Sequence, residues 1–240
     1  MSVLERARNS GGTGKQPGQQ AFNLVELLVV IALLGIVAGM VLPALGGAKH
    51  KRSQIECVTN LKQLGHALQM YIDDSEDQLP GPLWTGLQAS ADANSSEQFL
   101  YYAAPYLGVP PLKDETVVIP AAVCPGYLNH APGIRSLSDM EGRICYLLNP
   151  DADPQPGAPV RPFGYPDPQQ PPLKRSQLNQ YGSLAGLFAI TDVDKGNLTD
   201  PTVSWRNDLP PKSVHGSTRN QLFFDGHVAP VRAKAESARQ

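Results

Sequence analysis

His215, Asp225 and His227 stand close together near the C-terminal end, and an imidazole beside a carboxylate can hold a metal ion or pass a proton. No third histidine follows at ligand spacing and no serine or cysteine nucleophile accompanies them, so neither a zinc centre nor a hydrolytic relay is specified. The plainer expectation is that Asp225 shapes a turn and His215 fixes a loop through a hydrogen bond. A second group is the segment DVDKGNLTD, in which Asp192, Asp194, Asn197 and Asp200 offer oxygen ligands of the kind calcium favours. Lys195 occupies the place where an EF-hand loop needs a further oxygen donor, and an ordinary polar loop remains the alternative. Beyond calcium, no cofactor is expected. The three cysteines, Cys57, Cys124 and Cys145, are neither a disulfide framework nor a metal-spaced cluster. They allow at most one intramolecular bridge, with Cys124–Cys145 the preferred pair and buried free thiols the alternative. Finally, Glu26 places a carboxylate at the head of a long apolar run.

That run dominates the N-terminal part. Leu27 to Leu45 carries no charge, and as a helix Phe22–Leu45 spans roughly 36 Å, enough for a bilayer core of about 30 Å. It is longer than the apolar core of a cleavable secretory signal and lacks a following A-x-A-like site. Downstream, Ile55, Val58, Leu61, Leu64, Leu68 and Tyr71 recur at helical spacings and predict an amphipathic continuation, giving one helix over about 22–73. Pro43 is expected to kink it. Basic residues flank the apolar run on both sides (Arg6, Arg8 and Lys15 before it; Lys49, Lys51 and Arg52 after it), so they do not orient it. Gly35 and Gly39 form a G-x-x-x-G pair of the kind that lets helices approach. The net charge of −2 argues against nucleic acid as a partner.

From Asp73 on the composition changes, and the roughly 165 residues after the first 74 suffice for a domain with its own core. The sequence predicts a short helix near 96–107, strands near 116–124 and 143–148, and a buried strand in LFAITDVD at 187–194. NQLFFDGHVAPVR predicts a hairpin with strands near 220–224 and 227–232, and Asp225-Gly226 as a type I′ turn. The stretch from Asn149 to Leu173 is too rich in proline for helix or central strand and reads as an extended surface loop. The fold class is therefore α+β: a long N-terminal helix on a small antiparallel sheet with long Pro-rich loops.

AFNLVELLVVIALLGIVAGMVLPAL resembles the N-terminal segment of type IV pilins and type II secretion pseudopilins. On that resemblance Ala21 ends a leader, with alanine where glycine is usual, and Phe22 begins the mature chain. It implies cleavage by a prepilin peptidase, methylation of the Phe22 amine, and a role for Glu26 in meeting that amine on a neighbouring subunit. A second resemblance is the spacing of His215 to Asp225-Gly226, similar to the H-X9-DG signature of a large group of bacterial pilin-like proteins. CVTNLKQLGHALQMYIDD at 57–74 and Cys124-Pro125 are similar to that group as well.

The resemblance implies four regions: a leader at 1–21, a transmembrane and polymerisation half-helix at 22–45, an amphipathic half at 46–74, and an exported head at 75–240. The expected function is a prepilin-like subunit assembled into a type II secretion or type IV pilus-like filament, and not an enzyme. Its expected partners are the prepilin peptidase, inner-membrane assembly machinery, homologous pilin-like subunits and the membrane. Its expected location is the bacterial inner membrane as a single-pass protein with an extracytoplasmic C-terminal domain, then a periplasmic or surface filament. The alternative is a membrane-anchored binding module that forms no filament.

Overall fold

The computed structural model describes residues 23–113, 115–130, 133–153, 155, 157–198, 200 and 202–233, with the side chains of 40–50 outside that set. The leader region, including Ala21 and Phe22, also lies outside it. The chain divides into two compact units, Met1–Gly46 and Gly47–Gln240. Helix α1 runs Leu24–Asp74. In the first unit its start is capped by side chains: Asn23 accepts from the Val25 amide at 3.1 Å, and Glu26 accepts from the Asn23 amide at 3.2 Å. Past this cap the side chains are apolar on every face, and Leu24 through Val37 are exposed all round. Among the described residues, no helix is long and apolar enough to cross a membrane. The segment predicted to span, Phe22–Leu45, extends at both ends beyond the described side chains.

In the second unit, residues 47–74 of α1 pack on an antiparallel sheet. The buried stripe is Cys57, Leu61, Leu64, Leu68 and Ile72, spaced by three and four. Leu61, Leu64 and Leu68 of the expected stripe are buried and Val58 and Tyr71 half-buried, but its first member is not. Ile55 is 58% exposed, because a residue six positions before Leu61 lies well round the helix from it, and Cys57 occupies the buried face instead. Tyr71 is half-buried, edge-on to Tyr102 and Tyr106.

The sheet contains β1 (Gly86–Gln88), β4 (Ile144–Leu148), β5 (Phe188–Asp192), β6 (Thr218–Phe223) and β7 (Val228–Arg232) in the order β1-β4-β5-β6-β7. All neighbours are antiparallel. A two-stranded ribbon joins β2 (Ser90–Ala91) to β3 (Val117–Val118). The strand expected over 116–124 is thus only two residues long, because Pro120 stops the ladder and starts a 3-10 turn over Pro120–Ala122. Helix α2 covers Phe99–Ala103 and passes into a 3-10 turn to Leu107, and helix α3 is the single turn Pro125–Leu128.

One local expectation is corrected and another refined. The β6–β7 hairpin is not a type I′ turn: of Asp225 and Gly226 only Gly226 has positive φ, at 90°. The Gly226 amide donates to the Phe223 carbonyl at 2.9 Å and the Phe223 amide to the His227 carbonyl at 2.9 Å. This is a three-residue connection in which glycine takes the left-handed position. The Pro-rich stretch forms no helix or strand among the described residues, as expected, but it is anchored to the head. Phe163 is buried, stacked on Phe224 at 5.7 Å and edge-on to Phe99 at 6.3 Å. Backbone bonds from Leu83 to Phe163 and from Leu79 to Leu173 tie it to the head. One aromatic residue among the prolines is enough to anchor the segment in the core.

Candidate functional site

Beneath α1, four elements bring their polar side chains to one point. Cys57 comes from the buried stripe of α1, Cys124 stands at the N-cap of α3, Asp192 ends β5, and His215 lies in the loop that enters β6. One ligand atom of each lies within 4.8 Å of all the others, and the four residues are between 0% and 4% exposed. The Cys57 thiol donates to Asp192 Oδ1 at 3.1 Å and Cys124 Sγ meets His215 Nε2 at 3.1 Å. His215 Nε2 lies 3.7 Å from Asp192 Oδ2. Around this group, Tyr146 Oη is 3.4 Å from Cys57 Sγ, and the Asn220 backbone amide donates to Asp192 Oδ2 at 2.7 Å.

The elements explain the convergence. Tyr146 and Asp192 are cross-strand neighbours on β4 and β5, and β5 pairs with β6, which brings Asn220 against Asp192. Gly126, just after Cys124, lets α3 approach closely: a Cβ there would stand 2.9 Å from both His215 Cε1 and Val214 Cγ2. Burial sets the electrostatics. It pushes the Asp192 carboxyl up to about 6, against the Asn220 hydrogen bond, which favours the charged form. It also raises the Cys57 and Cys145 thiols and the Tyr146 hydroxyl well above their ordinary values. Protonated, solvent-excluded thiols of this kind are poor nucleophiles. A cysteine–histidine–aspartate relay is also not formed, because Cys124 and Asp192 both approach the same ring nitrogen of His215, whereas a relay needs one on each.

The sequence-predicted groups are distributed differently from expectation. His215 and Asp225 belong to opposite ends of β6, whose six residues span roughly 20 Å, so the nine-residue spacing measures a strand and not a site. Asp225 pairs with His227 at 2.6 Å on the exposed hairpin end, where His227 also stacks on Phe223 at 4.3 Å. Asp192, Asp194, Asn197 and Asp200 are not gathered around one point. Asp194 gives both oxygens to Arg219, at 2.7 and 2.8 Å. The Asn197 side chain bonds the backbone of Asp194 and Asp192, and Asp200 accepts from Thr202. All three cysteines are buried free thiols, the alternative to the possible Cys124–Cys145 bridge. Cys124 Sγ is turned to His215, while Cys145 is buried in β4. Sequence reasoning misses Cys57 as a site residue, since no local spacing links it to Cys124, Asp192 or His215.

Comparison with known proteins bears on the N-terminal part. Residues 17–42 match the prokaryotic N-terminal methylation motif, a segment that contains Ala21, Phe22 and Glu26. The chain is 40% identical over 80 residues to the type II secretion system core protein G of Klebsiella pneumoniae, covering 33% of this chain and 55% of that relative. It is 44% identical over 62 residues to the Vibrio cholerae serotype O1 protein of the same name, covering 25% and 42%. For the Escherichia coli K12 protein it is 40% over 53 residues, covering 22% and 37%. The chain thus spans about half or less of the length of the curated relatives it matches. No solved structure matches it. In its N-terminal part this chain carries the prepilin-type methylation motif, and over a quarter to a third of its length it is similar to the type II secretion core protein G pseudopilins.

Proposed function

We propose that this chain is a prepilin-like subunit of a type II secretion or pilus-like filament. On this reading a prepilin peptidase cuts between Ala21 and Phe22 and the Phe22 amine is methylated. The apolar half of α1 is held in the inner membrane as a single pass, with the head outside the cytoplasm, until it joins like subunits in the filament. The observation that carries the reading is the registration of the matched motif with the capped start of α1. The cleavage position falls just ahead of Asn23, so the new amine would arise within two residues of the Asn23–Glu26 cap. An all-apolar helix surface needs lipid or neighbouring helices around it, and Gly35 and Gly39, both open to close approach, suit the latter. Glu26 has its helix-start role within the chain, and its carboxylate, near the positive helix end, is also available to the methylated amine of a neighbour.

Mass spectrometry of the membrane-extracted protein tests the processing step: the expected first residue is N-methylated Phe22, and an intact Met1 overturns it. A Glu26→Ala variant should still enter the membrane but be absent from filaments. Assembly at the wild-type level would remove Glu26 from the mechanism and favour an anchored binding module.

A further inference from the structure

The four buried ligands beneath α1 have the composition and spacing of a closed transition-metal site, and we propose that Cys57, Cys124, His215 and Asp192 bind a single zinc ion that staples α1 to the head. Two thiolates, one imidazole and one carboxylate form a soft and borderline donor group suited to zinc, and four protein ligands with no open position make a structural centre. With metal–ligand bonds of about 2.0–2.3 Å, a tetrahedron has edges of about 3.3–3.8 Å. Three distances, 3.1 Å from Cys57 Sγ to Asp192 Oδ1, 3.1 Å from Cys124 Sγ to His215 Nε2 and 3.7 Å from His215 Nε2 to Asp192 Oδ2, fall within about 0.5 Å of those edges, and one ligand atom of each residue lies within 4.8 Å of the others. The directions agree as well: Cys124 and Asp192 converge on the same nitrogen of His215, as ligands around a common centre do.

The surroundings suit a bound cation. Asp192 Oδ1 faces Cys57, while Oδ2 faces His215 and also accepts from the Asn220 amide, which fixes the carboxylate's orientation. The Tyr146 hydroxyl beside Cys57 can donate to a thiolate. A divalent ion reverses the effect of burial on the thiols, since coordinated sulfur is deprotonated outright, and binding would release protons. The ligands come from sequence positions as distant as 57 and 215, so the ion would join α1, α3, β5 and the entry to β6 in one cross-link. This proposal is independent of filament assembly.

The test uses the full-length chain, reduced, metal-depleted and kept in detergent, titrated with Zn(II) and separately with Co(II). The expected result is one equivalent of zinc per chain and a higher Tm with zinc than with chelator. Cobalt should produce sulfur-to-metal charge-transfer absorption and the intense bands of a tetrahedral ion. Cys124→Ser and His215→Ala should each lose the tetrahedral cobalt signal. Cys145→Ser, equally buried but outside the four, should keep it, and Tyr146→Phe should weaken affinity about tenfold. Because the wild-type spectrum stands without any variant, misfolding of the variants does not shield the proposal. A folded wild-type chain that takes up no stoichiometric zinc, or binds cobalt without sulfur ligation, overturns it. A Cys57–Cys124 disulfide in the isolated protein would also overturn it.

Discussion

Arg219 and Asp194 meet through two short hydrogen bonds, with Asp194 1% and Arg219 11% exposed at the side chain. Breaking such a pair leaves an uncompensated charge in the interior, so Arg219→Ala should destabilise the head by about 3–5 kcal/mol in chemical denaturation followed by circular dichroism. Arg219→Lys should recover only part of this, because an ammonium cannot reproduce the planar fork. The pair also explains why the acidic run after β5 is not one ligand group. Sequence composition presents Asp192 and Asp194 as equivalent carboxylates two residues apart, but the fold sends them to different partners: Asp192 to Cys57 and the Asn220 amide, Asp194 to Arg219. The cysteines follow the same logic. Their spacing along the chain carries no pairing information, and their roles are set by which backbone segment faces which.

At the scale of elements, the phase of α1 is the checkable quantity. Leu64 is fully buried against the sheet, and Leu64→Ala should cost about 2–5 kcal/mol, whereas Ile55→Ala should change stability by no more than about 0.5 kcal/mol. Equal effects would mean that the buried stripe extends back to Ile55, as read from sequence. Gly65 tests the same contact from its other side. A Cβ at this position would lie 2.7 Å from Leu222 Cδ1 on β6, so Gly65→Val should destabilise by about 1–3 kcal/mol. Gly65→Ala should do less, because the better helix propensity of alanine offsets part of the clash. The helix itself is legible from its 3.6-residue periodicity, and the hairpin from Asp225-Gly226 between apolar runs. The turn type is not legible, since a dipeptide compatible with two connections leaves the choice to the strand register.

For the whole molecule, the two units make separable predictions. The apolar half of α1 exposes hydrocarbon on all faces, while residues 47–240 contain the sheet and its core. The full chain should remain with membranes through a high-salt wash and be released by detergent. A chain beginning at residue 47 should leave the membrane fraction and keep the circular dichroism of its sheet. Sedimentation after salt washing, with spectra of the released protein, checks both outcomes; a truncated chain that still sediments would place the membrane attachment in the head.

By itself the sequence determined the features that depend on near neighbours in the chain. Helical periodicity marks α1, prolines end short strands, and an apolar run with Glu26 at its head matches a processing motif, all within windows of a few tens of residues. Only the tertiary structure decided the meeting of Cys57, Cys124, Asp192 and His215, and the separation of His215 from Asp225. Those outcomes depend on the helix phase on the sheet, on strand order and on the length of β6. A contact between residues 57 and 215 is created by packing two elements together, and no local pattern of residue types encodes it.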